Sequence, residues 1–138
     1  MAKLNRNRAG RGKGWVVDAF RRESGRYPLG ESICKLPEPA RSRAVEAVFD
    51  LLYHAAVGVQ EGSRSFRFPD AKPLGGDLYE ASRKGDLRII ATTVPQGARL
   101  ILLDVIQKKR PDIPPDVMSH LRRLQQEALR ARQRQEQR

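Results

Sequence analysis

The sequence predicts an α+β fold: a small, mostly antiparallel sheet of about four strands packed with helices, with basic disordered N-terminal and C-terminal ends. Three observations predict it. Three short apolar runs follow one another between Leu78 and Gln107, separated by turn-forming residues. Two longer stretches, at about 39–57 and from about 115 onward, carry apolar residues at helical spacing. The two ends carry charge without apolar periodicity. At 138 residues the chain has the length of one domain. The expected division is a basic tail over 1–14, a folded domain over 15–129 and a basic tail over 130–138.

Taken in order, Gly14 to Phe20 is expected as a first strand, because aromatic and β-branched residues dominate it. Val16, Ala19 and Phe20 also fit helical spacing, so a helical turn over Trp15 to Arg22 is the alternative. Trp15 belongs in the core or at its edge. Gly25, Pro28 and Gly30 mark a loop, and Glu31 to Leu36 has room for one helical turn. A longer helix follows from about Pro39 to Val57. Its expected core face is Val45, Val48, Phe49, Leu52 and Ala56. His54 lies near that stripe as a partly buried histidine. Gly58 to Ser65 reads as a loop, and Phe66 to Pro69 as an extended stretch over the core.

Gly75-Gly76-Asp77 then turns the chain into the sheet. Strands are expected at Leu78 to Arg83, Leu87 to Val94 and Arg99 to Gln107. The first two are joined by a tight connection at Lys84-Gly85-Asp86, where Gly85 can take positive φ. Pro95 and Gly97 fit a type I turn between the second and third. Leu100 to Leu103 is apolar on both faces, which places its strand inside the sheet. After Pro111, Pro114 and Pro115 a last helix begins, with Val117, Leu121, Leu124 and Ala128 as its core stripe.

The net charge of +11 is unevenly spread. Residues 1–14 hold Lys3, Arg6, Arg8, Arg11 and Lys13 and no acid. Residues 130–138 hold four arginines against Glu136, which leaves +3 for everything between the ends. Such ends suit a polyanion through counterion release; solvated tails are the plainer reading. The single Cys34 forms no internal disulfide, which fits a reduced compartment. No apolar run approaches the roughly 20 residues that span a bilayer, and the charged N-terminus lacks the apolar core of a secretory signal. Cytoplasmic localisation is expected. No cofactor is expected, because Gly10 to Gly14 lacks the flanking strand and helix of a phosphate loop. No metal is expected either, since His54 and His120 are far apart and no cysteine stands near them.

The segment Pro73-Leu74-Gly75-Gly76-Asp77-Leu78-Tyr79-Glu80 resembles a motif of phage-derived HigB-like toxins of the RelE/ParE superfamily, in which a Leu-Tyr-Glu-Leu-Arg strand follows a glycine turn. Arg88-Ile89-Ile90 is similar to the family's Tyr-Arg-Val strand. Ile101-Leu102-Leu103 followed by Lys108-Lys109 looks like its apolar strand ending in a lysine pair. Pro114 or Pro115 stands near the proline that opens the family's last helix, and Leu36-Pro37 resembles part of its helical hairpin. The resemblance implies a RelE-like domain over 15–129. It also implies a toxin of a type II toxin–antitoxin pair: an endoribonuclease that cleaves ribosome-associated mRNA without a metal and inhibits translation. A helix-turn-helix antitoxin would be its partner. Two other readings compete. One is a non-catalytic protein of this fold that inhibits a protein target such as DNA gyrase. The other is a basic accessory protein that binds nucleic acid or the ribosome.

Metal-free RNA cleavage uses the 2′-OH as nucleophile on its own phosphate. It needs cations for the developing charge, and a base and an acid. The candidate catalytic residues are Arg88, Lys108, Lys109 and His120. Arg88 matches the family's strand arginine and shares a face with Ile90 and Thr92; pairing with Glu80 or Asp86 is its structural alternative. Lys108 and Lys109 close the apolar strand, and exposed edge charges are the alternative there. Arg83, Lys84, Arg110, Lys13 and Arg11 are the candidate RNA-binding residues. The acid and base are harder to place. Ala81-Ser82 stands where the family has Leu-Arg, and Pro111 to Asp116 contains neither the Tyr nor the His that often serves there. His120, Tyr79 and Glu80 are the residues at hand.

Overall fold

The structure is a computed structural model that describes residues 16–61, 71–94 and 99–136. Strand β1 (Val16–Ala19) is followed by α1 (Pro28–Lys35) and α2 (Ala40–Glu61). Then come β2 (Lys72–Gly75), β3 (Leu78–Lys84), β4 (Leu87–Val94), β5 (Arg99–Gln107) and α3 (Pro115–Glu136). The five strands form one sheet in the order β1-β5-β4-β3-β2. β1 runs parallel to β5, and every other pair is antiparallel.

The α+β expectation holds, with one strand more than expected. Lys72–Gly75 pairs with β3 through the Gly75-Gly76-Asp77 turn. Its proline and glycine hide it in the sequence, and both are tolerated because β2 is an edge strand. β1 forms the other edge. Trp15 lies outside the described residues, as do Phe66 to Pro69 and the turn at Pro95 to Gly97. α1 opens at Pro28, three residues before the expected turn, with Pro in its first turn, Glu31 in the same turn and Lys35 in the last. Each suits its place: Pro gives up no hydrogen bond there, and the charges oppose the helix dipole. α2 carries on to Glu61, past the expected loop start at Gly58.

The sheet has a core on each face. On one, Leu29 of α1 and Ala40, Ala44, Ala47 and Leu51 of α2 pack on Ala81, Leu87, Ile89, Ala91, Leu100, Leu102 and Val105. On the other, Leu121, Leu124 and Ala128 of α3 pack on Leu78, Ile90, Val94, Ile101 and Leu103. β4 is the middle strand, and seven of its eight residues are buried.

α2 corrects the sequence reading. Its buried stripe is Ala40, Ala44, Ala47 and Leu51, with Val48 partly buried beside it. Phe49 is 64% exposed, and Val45, Leu52 and Tyr53 are exposed with it. The expected core face is thus largely turned outward. Small alanines let the helix approach the sheet closely, while a search for bulky residues at helical spacing selects the other side. Ahead of α2, Glu38 accepts hydrogen bonds from the Ser42 N–H and hydroxyl, both at 2.9 Å. The backbone bond, then the hydroxyl bond and then the Arg41 charge hold its carboxyl below the ordinary range.

α3 clamps the β2–β3 turn. Gly75, Gly76 and Asp77 all have positive φ, which favours glycine at the first two. Arg122 donates to the Gly75 carbonyl at 2.8 Å and the Leu74 carbonyl at 3.0 Å. Gln125, almost wholly buried, donates to the Gly76 carbonyl at 2.6 Å and the Thr92 hydroxyl at 3.0 Å. Replacing a buried donor leaves its acceptors unsatisfied, a loss of about 1–3 kcal/mol. Gln125→Leu is therefore expected to lower unfolding stability by about that amount in urea titration, whereas Gln126→Leu, at an exposed neighbouring position, is expected to change it little.

Candidate functional site at one end of the sheet

The site follows from strand register. Residues opposite one another on neighbouring strands share a face, and alternation carries that face along each strand. Leu78 and Ile90 pack under α3. Glu80 is two residues past Leu78 and lies opposite Ile90, which itself lies opposite Asp104. The next row holds Arg83, Arg88 and Ile106. Lys108 continues this face just past the end of β5.

Two register shifts build these rows. One falls between Glu80 and Ser82 in β3, the other opposite Ile90 and Ala91 in β5. Without the first, Arg83 would lie on the face opposite Glu80. Without the second, Asp104 would alternate away from Leu103 and turn toward α2. A bulge re-aims a side chain in this way. Here it puts a cation and a carboxylate on the α3 face.

Glu80 is fully buried, and its carboxylate is held by cations. Lys108 Nζ donates to Oε2 at 2.7 Å, and the lysine side chain is itself only 7% exposed. Arg88 Nε stands 3.4 Å from Oε1. That approach is a charge contact rather than a hydrogen bond, since neither atom has a hydrogen-bonding partner among the described residues. Arg88 Nη1 donates to the Gly85 carbonyl at 2.7 Å and the Leu87 carbonyl at 2.9 Å, which ties the guanidinium to the β3–β4 hairpin. The Lys108 N–H also donates to the Asp86 carbonyl at 2.6 Å, closing the end of β5 on the same hairpin.

Beside this triad sits a second pair. Asp104 is almost wholly buried, and its Oδ1 accepts the Val105 N–H at 2.8 Å. Its Oδ2 lies 3.2 Å from His120 Nε2 on α3. The histidine is half exposed. Asp104 and Glu80 stand two strands apart in one row, which sets their backbones about 10 Å from each other.

The structure therefore brings Arg88, Lys108, Arg83 and His120 to one end of one face. Lys109 and Arg110 follow directly and are exposed, and they line a cleft with Ile106, Lys108, Ile113 and Val117. Lys84 does not join them. It lies opposite Leu87, on the α2 face, and pairs with Asp50 at 2.8 Å. Tyr79 lies opposite Ala91, also on the α2 side. Lys13 and Arg11 lie outside the described residues. For Arg88 the structural alternative, a pair with Glu80, is what is observed. Sequence reasoning does not reach Asp104, because its face depends on a bulge and no local signal in the sequence marks one.

Among the described residues no group of three or more His, Cys, Asp or Glu side chains is placed to hold a metal ion, and no helix is long and apolar enough to cross a membrane. Fold and site together define a small α+β protein with a cationic, histidine-bearing sheet end. No family model matches the chain, and no curated protein matches it. Among solved structures, the toxin–antitoxin complex RelBE2 from Mycobacterium tuberculosis contains a chain similar to this one, with 19% identity and a TM-score of 0.43. The match covers 69% of this chain and 99% of that one.

Proposed function

We propose that this protein is the toxin of a toxin–antitoxin pair, HigB-like within the RelE/ParE superfamily, and that it cleaves ribosome-associated mRNA without a metal. The observation that carries the reading is the row arrangement at the sheet end. Arg88 and Lys108 hold one buried carboxylate, with Arg83 in the next row, beside exposed Lys109 and Arg110 and a half-exposed histidine. The resemblance of Pro73 to Lys109 adds to this support. A helix-turn-helix antitoxin, action in the cytoplasm and a basic tail over 1–14 belong to the same proposal; at the other end the expected tail is corrected, because residues 130–136 continue α3, with Ala131 packed against the core.

In this reading the guanidinium and ammonium groups hold the scissile phosphate and offset the charge added to it in the transition state. Arg88 and Lys108 are poor choices for a test, because both also neutralise buried Glu80. Lys109→Ala with Arg110→Ala removes cations that are exposed and leaves that carboxylate paired. Induced expression in a bacterium, with RNA 5′ ends mapped within minutes, is expected to reveal new ends inside translated messages. The double variant is expected to lose them about tenfold or more while remaining folded. Absence of new ends on expression of the wild-type chain would overturn the nuclease reading.

One observation favours the second reading, inhibition of a protein target. Val45, Phe49, Leu52 and Tyr53 form an exposed apolar stripe along α2, and a protein partner gains from covering apolar surface where a polyanion does not. Growth arrest without new RNA ends, together with loss of gyrase supercoiling activity, would move the assignment there.

A further inference from the structure

We propose that Asp104 is a positioning residue that fixes the ring of His120 so that its Nδ1 serves as the proton acceptor in RNA cleavage. The inference rests on the nuclease reading above and identifies the base which that reading otherwise lacks.

The argument starts from the carboxylate. An ionised carboxylate only accepts hydrogen bonds. One Asp104 oxygen is occupied by the Val105 N–H, so the other meets His120 Nε2 with its direction already set. The hydrogen is therefore on Nε2, and Nδ1 carries the lone pair. No described residue bonds Nδ1, and the ring is half exposed, so this lone pair is available to a group outside the protein. A buried acid that orients a half-exposed histidine in this way defines both tautomer and direction.

Placement gives the pair a purpose. Asp104 shares its row with Glu80 and its cations Arg88 and Lys108, and the exposed Lys109 and Arg110 follow directly. Asp104 faces α3 only because β5 carries a bulge there, and bulges next to active sites re-aim side chains in this manner. A surface histidine on a helix needs no such device. The reaction closes without a further reagent. Nδ1 takes the proton of the 2′-OH, and the 2′-oxygen forms a bond to the adjacent phosphorus. The bond from phosphorus to the 5′-oxygen breaks, and that oxygen leaves with a proton from water. The products are a 2′,3′-cyclic phosphate and a 5′-OH.

The test is a double-mutant cycle on cleavage of a translated message by the full chain, with Asp104→Asn, His120→Gln and both together. Asn keeps an acceptor for the Val105 N–H, and position 120 is exposed enough to accept Gln; circular dichroism and thermal unfolding check that each variant is folded. Asp104→Asn is expected to lower kcat by about 100-fold and leave KM within about twofold. In the His120→Gln background it is expected to cost nothing further, since Asp104 acts only through the ring. Nitrogen-15 NMR of the ring is expected to find the Nε2–H tautomer in the wild-type chain and a changed Nε2 resonance in Asp104→Asn. Full kcat in folded Asp104→Asn would overturn the proposal while leaving the nuclease reading in place, and so would equal losses in the two backgrounds. A wild-type chain that cleaves no RNA would overturn both.

Discussion

Glu80→Gln is expected to lower the free energy of unfolding by about 3–5 kcal/mol, the range for breaking a buried ion pair from one side. The carboxylate is fully buried, and its nearest cation, Lys108, is nearly so. Gln keeps the size and one acceptor oxygen but removes the charge, so the Lys108 ammonium is left desolvated without its counter-ion and the Arg88 guanidinium loses the same support. Against a typical total of about 5–15 kcal/mol this is a large fraction. The loss reflects an orphaned cation rather than the net strength of the pair, and a second variant separates the two. Glu80→Gln with Lys108→Met removes both charges and is expected to recover about half of the loss or more. Urea titration of the wild-type chain, the single variant and the double variant measures this directly. A single variant within about 1 kcal/mol of wild type would show that water reaches the triad.

Leu51→Ala is expected to cost about 2–5 kcal/mol, whereas Phe49→Ala, which removes a larger side chain two positions away, is expected to cost less than about 1 kcal/mol. Leu51 is 1% exposed, and Phe49 is 64% exposed. Truncating the first leaves a cavity between α2 and the sheet; truncating the second leaves none. Equilibrium unfolding of the two variants side by side decides which stripe of α2 faces the core. A costly Phe49→Ala in the isolated chain would mean that the helix is rotated from its position here, or that a second molecule covers this face in solution.

That contrast marks where the sequence is legible and where it stops. β4 and β5 have the expected limits, Leu87–Val94 and Arg99–Gln107. Each is a continuous β-branched or leucine-rich run bounded by turn residues, and an interior strand has no other signature. Pro115 marks the start of α3, and Leu121, Leu124 and Ala128 are buried as expected. α2 defeats the same method. It has two apolar stripes, and size favours the one with Phe49, while packing distance favours the alanines. β2 is hidden because edge strands tolerate Pro and Gly. At the site, alternation along β4 is enough to place Arg88 with Ile90. It misplaces Asp104, whose direction depends on an unpaired residue one position away. Glu80 was legible as a partner for Arg88, but its second partner, Lys108, joins it only through the β4–β5 pairing, 28 residues further along the chain.

The parallel pairing of β1 with β5 has a consequence for the order in which the protein forms. Val16 lies opposite Arg99, so 83 residues separate them. Closing so long a loop is slow compared with the local turns that join β2, β3, β4 and β5. A ribosome adding about 5–20 residues per second needs roughly 4–17 s to traverse that interval. β1, the first of the described strands to be made, is thus expected to be the last to find its neighbour, with the sheet ending at β5 until then; pulsed hydrogen exchange of the β1 and β5 amides checks this. Assembly is expected to start from the hairpins, with β1 added as a closing strip along an edge already built. Its cross-strand ion pair from Asp18 to Arg99 then joins the beginning of the domain to the strand that carries Asp104.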